Sequence, residues 1–135
     1  MNIQVAVLCD AATEEYGKLN LLGAFDTIQT SQLPAVHPQC SVALRITFFG
    51  GDEGKHNLKL SFVDADGRSI MPDFPMIPVE LGLPDDIHFG TRNFLFNFQQ
   101  LRFEQPGLYS IDISLDDQPT ASIPLLVKYN QPAAA

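Results

Sequence analysis

Alternation with a period of two runs through most of the chain, and helical periodicity is nearly absent. In "SVALRITFF", Val42, Leu44, Ile46 and Phe48 share one side of an extended strand, while Arg45 and Thr47 share the other. The arrangement recurs in "HNLKLSF", with Leu58, Leu60 and Phe62 on one face, and in "RNFLFNFQQ", with Phe94, Phe96 and Phe98. "GLYSIDISLDD" is the clearest instance, since Tyr109, Ile111, Ile113 and Leu115 alternate with Ser110, Asp112, Ser114 and Asp116. That pattern predicts a strand with one face in a core and one in water. "ASIPLLVKY" places Ile123, Leu125 and Val127 inward, and Pro124, which has no N–H to donate to a ladder, predicts a position towards a sheet edge. "IQVAVLC" and "KLNLLGAFDTI" are apolar on both faces and predict strands sandwiched more deeply.

Turn chemistry separates these runs: "GGDEG" at 50–54, "DADG" at 64–67, "EQPG" at 104–107 and "DDQP" at 116–119, each predicting a hairpin between neighbours. Between Met71 and Pro84 four prolines predict an irregular edge strand interrupted by bends. Residues 29–40, "QTSQLPAVHPQC", predict a long connection from one sheet to the other. Together the elements predict an all-β domain, a two-layer antiparallel β-sandwich of the immunoglobulin/C2-like kind with about eight strands; a closed barrel is the alternative. The domain is expected over residues 1–129, with a disordered tail at 130–135.

Composition narrows the function more than the fold. At 135 residues the chain suits one domain, and 45% hydrophobic against 18% charged residues is enough apolar material to offset the entropy of ordering. Eight basic residues against sixteen acidic ones leave a formal charge of -8, which repels phosphate backbones and disfavours nucleic acid. The same charge keeps a chain dispersed in water, and its sharper implication is a basic partner. "MNIQVAVLCD" lacks the basic start and the length of a signal peptide, and no stretch approaches ~20 apolar residues, so a cytoplasmic, non-membrane protein is expected. Two cysteines do not make a disulfide framework and are expected as buried free thiols.

No motif reaches catalytic or metal-binding specificity. "DADG" opens like a calcium loop, but the twelfth position, which must be a bidentate Glu, is Pro75. Asp10 adds the wrong charge beside Cys9 for a thiolate, and His37 near Cys40 has a spacing that means little off a helix. A hydrolase using Cys40 with His37, or using paired acids, is therefore the least favoured reading, and no cofactor, catalytic residue or metal-ligand set is expected. One distributed feature carries more. If each strand runs antiparallel to the next, alternate connections share one end of the sandwich. Asp10, Glu14, Glu15, Asp52, Glu53, Asp85, Asp86, Asp116 and Asp117 would then form an acidic pole. Such a pole suits weak calcium or small-ligand binding through carboxylate oxygens, or a basic partner.

"LCDAATEEYGKLNLLGAFDTI", then "DADGRSI", then "QPGLYSIDISLDD" and "ASIPLLV" resemble a family of small bacterial domains of unknown function. Its members look like "LLCD", a "GKL.L.G.FD.I" strand, a "DxDG" turn and a late "PG.Y" strand. The resemblance covers about Val5 to Val127 and implies a bacterial β-sandwich without bringing an activity or a site residue. The expectation from residues and resemblance together is a non-enzymatic protein-binding or assembly module, self-associating through an exposed sheet edge or face.

Overall fold

A computed structural model describes residues 1–71 and 76–131. Among the described residues there are nine strands: β1 (Asn2–Glu15), β2 (Lys18–Ala24), β3 (Thr27–Thr30), β4 (Ala35–Phe49), β5 (Gly54–Val63), β6 (Ile77–Leu81), β7 (Phe89–Phe103), β8 (Gly107–Leu115) and β9 (Gln118–Tyr129). They form a sandwich of two sheets, ordered β2-β1-β4-β7 and β3-β9-β8-β5-β6. No helix among the described residues is long and apolar enough to cross a membrane.

The alternating sets supply the core. Val42, Leu44, Ile46 and Phe48 of β4 meet Leu58, Leu60 and Phe62 of β5, Ile111 and Ile113 of β8, and Leu125 and Val127 of β9, all buried. Each such side chain stabilises the fold by about 1.5–3 kcal/mol on leaving water. Phe62 is the aromatic centre, edge-on to Phe98 at 6.0 Å between ring centroids and 5.9 Å from Phe103. On β7 the inward phase changes partway along: Phe98 is buried, then Leu101 and Phe103, with the backbone left-handed at Gln100 (φ 54) between them.

β1 departs from a simple sandwich strand. Its first half pairs with β4, Val5 opposite Arg45 and Cys9 opposite Ser41. Its second half pairs only with β2, through a two-residue turn at Tyr16 (φ 52) and Gly17 (φ 78), the doubly positive geometry that suits the twist of a tight hairpin. Yet Arg45, level with Val5, donates from Nη1 to Gly17 O at 3.0 Å. The hairpin has therefore folded back over the outer face of the first sheet. The bend lies where Asp10 faces Gly23, whose φ of 70 and missing Cβ leave room for the carboxylate. The folded hairpin accounts for the burial of Cys9, Ser41 and Ala43, which point outward on their strands.

Several expectations change. "KLNLLGAFDTI" divides between β2 and β3, which lie in different sheets, and Leu21 and Leu22 of β2 are exposed rather than sandwiched. The first connection, expected to carry Asp10, Glu14 and Glu15, is only Tyr16 and Gly17, and the three acids lie on β1. The crossing predicted over 29–40 is only the short segment between β3 and β4. Of the four turn signals, "DDQP" joins the hairpin β8–β9, whereas "GGDEG" and "EQPG" carry the chain between sheets. A turn signal marks a reversal and says nothing about the sheet in which the next strand lands.

β3 pairs with β9 in parallel, Thr27 opposite Leu126, the one parallel ladder among the described residues. β9 is thus second from the edge, and Pro124 lies beyond the part that β3 covers, where its missing N–H disrupts nothing. β6 is an edge strand carrying Pro78, and residues 72–75 of the proline-rich stretch lie outside the described residues. Of the expected tail, Asn130 is tied to β3, its N donating to Thr30 O at 2.8 Å, and 132–135 lie outside the described residues.

Candidate functional site

Six of the nine acids gather at one end of the sandwich. Asp52 and Glu53 lie between β4 and β5, Asp85 and Asp86 between β6 and β7, and Asp116 and Asp117 in the β8–β9 turn. Contacts stitch these connections together. Asp52 Oδ2 accepts from Phe49 N at 2.9 Å and lies 2.9 Å from the Met1 amino nitrogen. Glu53 Oε1 accepts from Leu83 N at 2.8 Å. Asp116 Oδ1 accepts from Asn57 N at 2.8 Å, and its Oδ2 lies 2.6 Å from His56 Nδ1, while His56 Nε2 lies 2.6 Å from Asp52 O. His56 is held above the usual imidazole range, first by Asp116 and then by the Asp52 carbonyl. Asp116 is lowered in return, mainly by His56, and Asp52 by the Phe49 N–H and then the chain's amino terminus.

The other three acids are elsewhere. Glu14 reaches the outer face of the first sheet, accepting from Asn93 Nδ2 at 3.4 Å, with Glu15 beside it at the hairpin tip. Asp10 stands at the bend opposite Gly23. Three acids of the pole thus brace the loops that carry them, and Asp85, Asp86 and Asp117 face solvent. Among the described residues no group of three or more His, Cys, Asp or Glu side chains is placed to hold a metal ion. Asp64 of "DADG" closes its own turn, Oδ1 accepting from Asp66 N and Arg68 N at 2.9 Å each.

The thiols are placed for packing rather than attack. Cys9 Sγ donates to Ser41 O at 3.5 Å, and Cys40 is 1% exposed. Burial, then Cys9 and Asp10, push the Cys40 thiol up to about 11, so it stays protonated at neutral pH. His37, its suggested activator, packs against Phe25 with ring centroids 5.5 Å apart. At the opposite end from the acids, an open cleft of about 440 Å³ lies between the 64–70 and 102–109 segments. Along it, Arg102 Nε lies 2.6 Å from Glu104 Oε1 and the Tyr109 hydroxyl donates to Gln105 O at 2.5 Å.

The sheet edges differ sharply. β3 has four residues, β6 has five with Pro78 among them, and β2 has seven on the folded-back hairpin. Short strands and proline are devices that blunt an edge against pairing. β7 has fifteen residues without proline, ladders with β4 from Phe89 to Phe103, and has no second neighbour in the sheet among the described residues. Its first residue, Phe89, is 56% exposed opposite Phe49, which is 43% exposed.

Comparison with known proteins adds no chemistry. The model of a family described as "Family of unknown function (DUF6941)" matches residues 4–128, and the chain belongs to that family. Among curated proteins, none matches the chain.

Proposed function

From membership of a family to which no activity is assigned, we infer that this protein is a non-enzymatic binding or assembly module of the bacterial cytoplasm. The observation that carries the reading is the place of β7 at the end of its sheet, fifteen residues without proline and with β4 as its one sheet neighbour among the described residues. An unblunted edge is a template for another strand, and sheet extension gives affinity through main-chain hydrogen bonds. Support also comes from what the titratable groups do: the thiols are buried and protonated, and half of the acids at the pole are engaged in holding loops together. Two buried free thiols suit a reducing compartment. Sedimentation equilibrium up to millimolar protein, combined with capture from native lysate, tests the reading; a strict monomer that retains no partner removes it.

A second reading assigns a basic partner to the acidic end. The solvent-facing Asp85, Asp86 and Asp117 favour it, on a chain of formal charge -8. Such binding must weaken steeply with salt, and a salt-independent affinity for any captured partner excludes it. The calcium version has no ligand group among the described residues to build on, and calcium should leave the melting temperature unchanged.

A further inference from the structure

We propose that the cleft between the 64–70 and 102–109 segments binds the carboxyl-terminal end of a peptide, which adds as a short strand beside Leu108 and sets its carboxylate on Arg68. The proposal deepens the binding reading with a ligand class and a site that does not involve the β7 edge. Its ground is a vacant strand position. The ladder between β5 and β8 ends with Val63 opposite Ser110, because the chain turns away over Asp64 to Gly67, Gly67 N donating to Asp64 O at 3.0 Å. β8 continues back to Gly107 with only β9 beside it among the described residues. The cleft of about 440 Å³ opens where β5 leaves, a volume within the span of about 300–1,000 Å³ usual for ligand sites.

Two hydrogen bonds fix the direction in which the main chain faces there. Opposed residues on an antiparallel ladder alternate between pairs whose N–H and C=O groups meet and pairs whose groups point apart. Leu126 donates its N–H to Asp26 O at 2.8 Å, on the side away from β8. Leu108, opposite Leu126, therefore turns its own N–H and C=O away from β9 and into the cleft that it lines. The other ladder gives the same phase. Phe62 O accepts from Ile70 N at 3.0 Å, so Phe62 faces away from β8, Val63 faces Ser110, and Leu108, two residues from Ser110, points the same way. Among the described residues no hydrogen bond reaches Leu108 from that side.

The position selects the end of a chain. β5 holds the place beside Ser110, so an added strand must stop short of it. Arg68 selects which end. Its main chain is fixed by the turn, N donating to Asp64 Oδ1 and O accepting from Asp64 N at 2.9 Å each, while its exposed guanidinium has no partner among the described residues. The other three arginines are engaged, Arg45 by Asn93, Arg92 by Glu80 O and Arg102 by Glu104. A free guanidinium takes a carboxylate through two parallel N–H bonds. To end there the peptide runs parallel to β8, its last residue donating to Leu108 O and the residue two before it accepting from Leu108 N–H. Of the acids along the cleft, Asp64 is engaged in its turn and Glu104 with Arg102, which leaves exposed Asp66 to oppose the carboxylate.

The test passes two pools of acetylated random tetrapeptides over immobilised protein, one pool with free carboxylates and one amidated. The free-acid pool should be retained more than about tenfold better, and equal retention, or none, overturns the proposal. Arg68→Gln should abolish the preference and Asp66→Asn should increase it. A preference that survives Arg68→Gln, or that Asp66→Asn weakens, overturns it as well. A peptide recovered from the retained pool should shift the Leu108 amide signal of the unaltered protein, which a contact of charges alone would leave in place; an unmoved Leu108 signal overturns the added strand. Melting curves check that the variants fold, and should Arg68→Gln not fold, the Leu108 signal decides. Failure here leaves the assembly reading to sedimentation and lysate capture, which do not depend on this cleft.

Discussion

Replacing His56 with leucine removes the clasp that joins β5 to the β8–β9 turn and to the segment after β4. Both ring nitrogens face oxygens that can only accept, the Asp116 carboxylate and the Asp52 carbonyl, each at 2.6 Å. Both contacts are made as hydrogen bonds together only when both nitrogens carry hydrogen, so the clasp is complete in the imidazolium form. A hydrogen bond to a charged group contributes about 1.5–3 kcal/mol when shielded. His56 is 15% exposed but Asp116 is 44% exposed, and solvent screening brings the whole clasp down to about 1–2 kcal/mol. In a domain of this size that lowers Tm by roughly 4–8 °C.

The pH dependence follows from the two shifts. His56 is raised above 6.5 in the folded state, so its contribution is complete below about 6.5 and fades as pH rises through the folded value. Asp116 is lowered below 3.8, so its contribution is complete above 3.8 and fades as pH falls through the folded value. The stability gap between wild type and His56→Leu should thus be widest at about pH 5–6 and shrink by about pH 9. Urea unfolding of both proteins at the two pH values measures it, and His37 and His88, present in both, cancel. A gap that stays constant, or grows with alkalinity, refutes the imidazolium clasp.

Phe62→Ala should cost about 3–5 kcal/mol in urea unfolding, because it empties the space between Phe98 and Phe103. Gly23→Ala should cost roughly 1–2 kcal/mol, since its φ of 70 is left-handed and a Cβ there collides with the Asp10 carboxylate. Gly50→Ala, which meets open space, should change stability by no more than about 0.5 kcal/mol. Neither cysteine should react with a thiol reagent in the native protein, and both should react in denaturant; rapid native labelling of Cys40 contradicts its burial and its value of about 11.

The core faces of β4, β5, β8 and β9 were legible because a strand with one wet side writes its burial into alternate letters, as Tyr109 to Leu115 do. The folded-back hairpin was not, because its cause is a single opposition of Asp10 and Gly23 that a linear pattern shows only as one glycine in an apolar run. Reversals were legible at "GGDEG" and "EQPG", but the sheet that receives the next strand is decided by packing. The His56 clasp joins residues 60 positions apart, beyond any local signal, although the acids it gathers were all visible. The β7 alternation was plain, whereas its place at the end of the first sheet depends on sheet order.

The parallel ladder between β3 and β9 bears on how the chain is made. Thr27 and Leu126 are neighbours in the second sheet although about a hundred residues separate them, and β9 lies between β3 and β8. During synthesis β3 emerges early and has nothing to pair with until nearly all of the remaining strands have followed. Most contacts are long-range, so folding should be slow and nearly all-or-none, with no stable half-domain waiting on the ribosome. Until then the apolar faces of β4, β5 and β7 are bare, and the excess of acidic residues spread along the chain gives the nascent polypeptide a charge that opposes its aggregation.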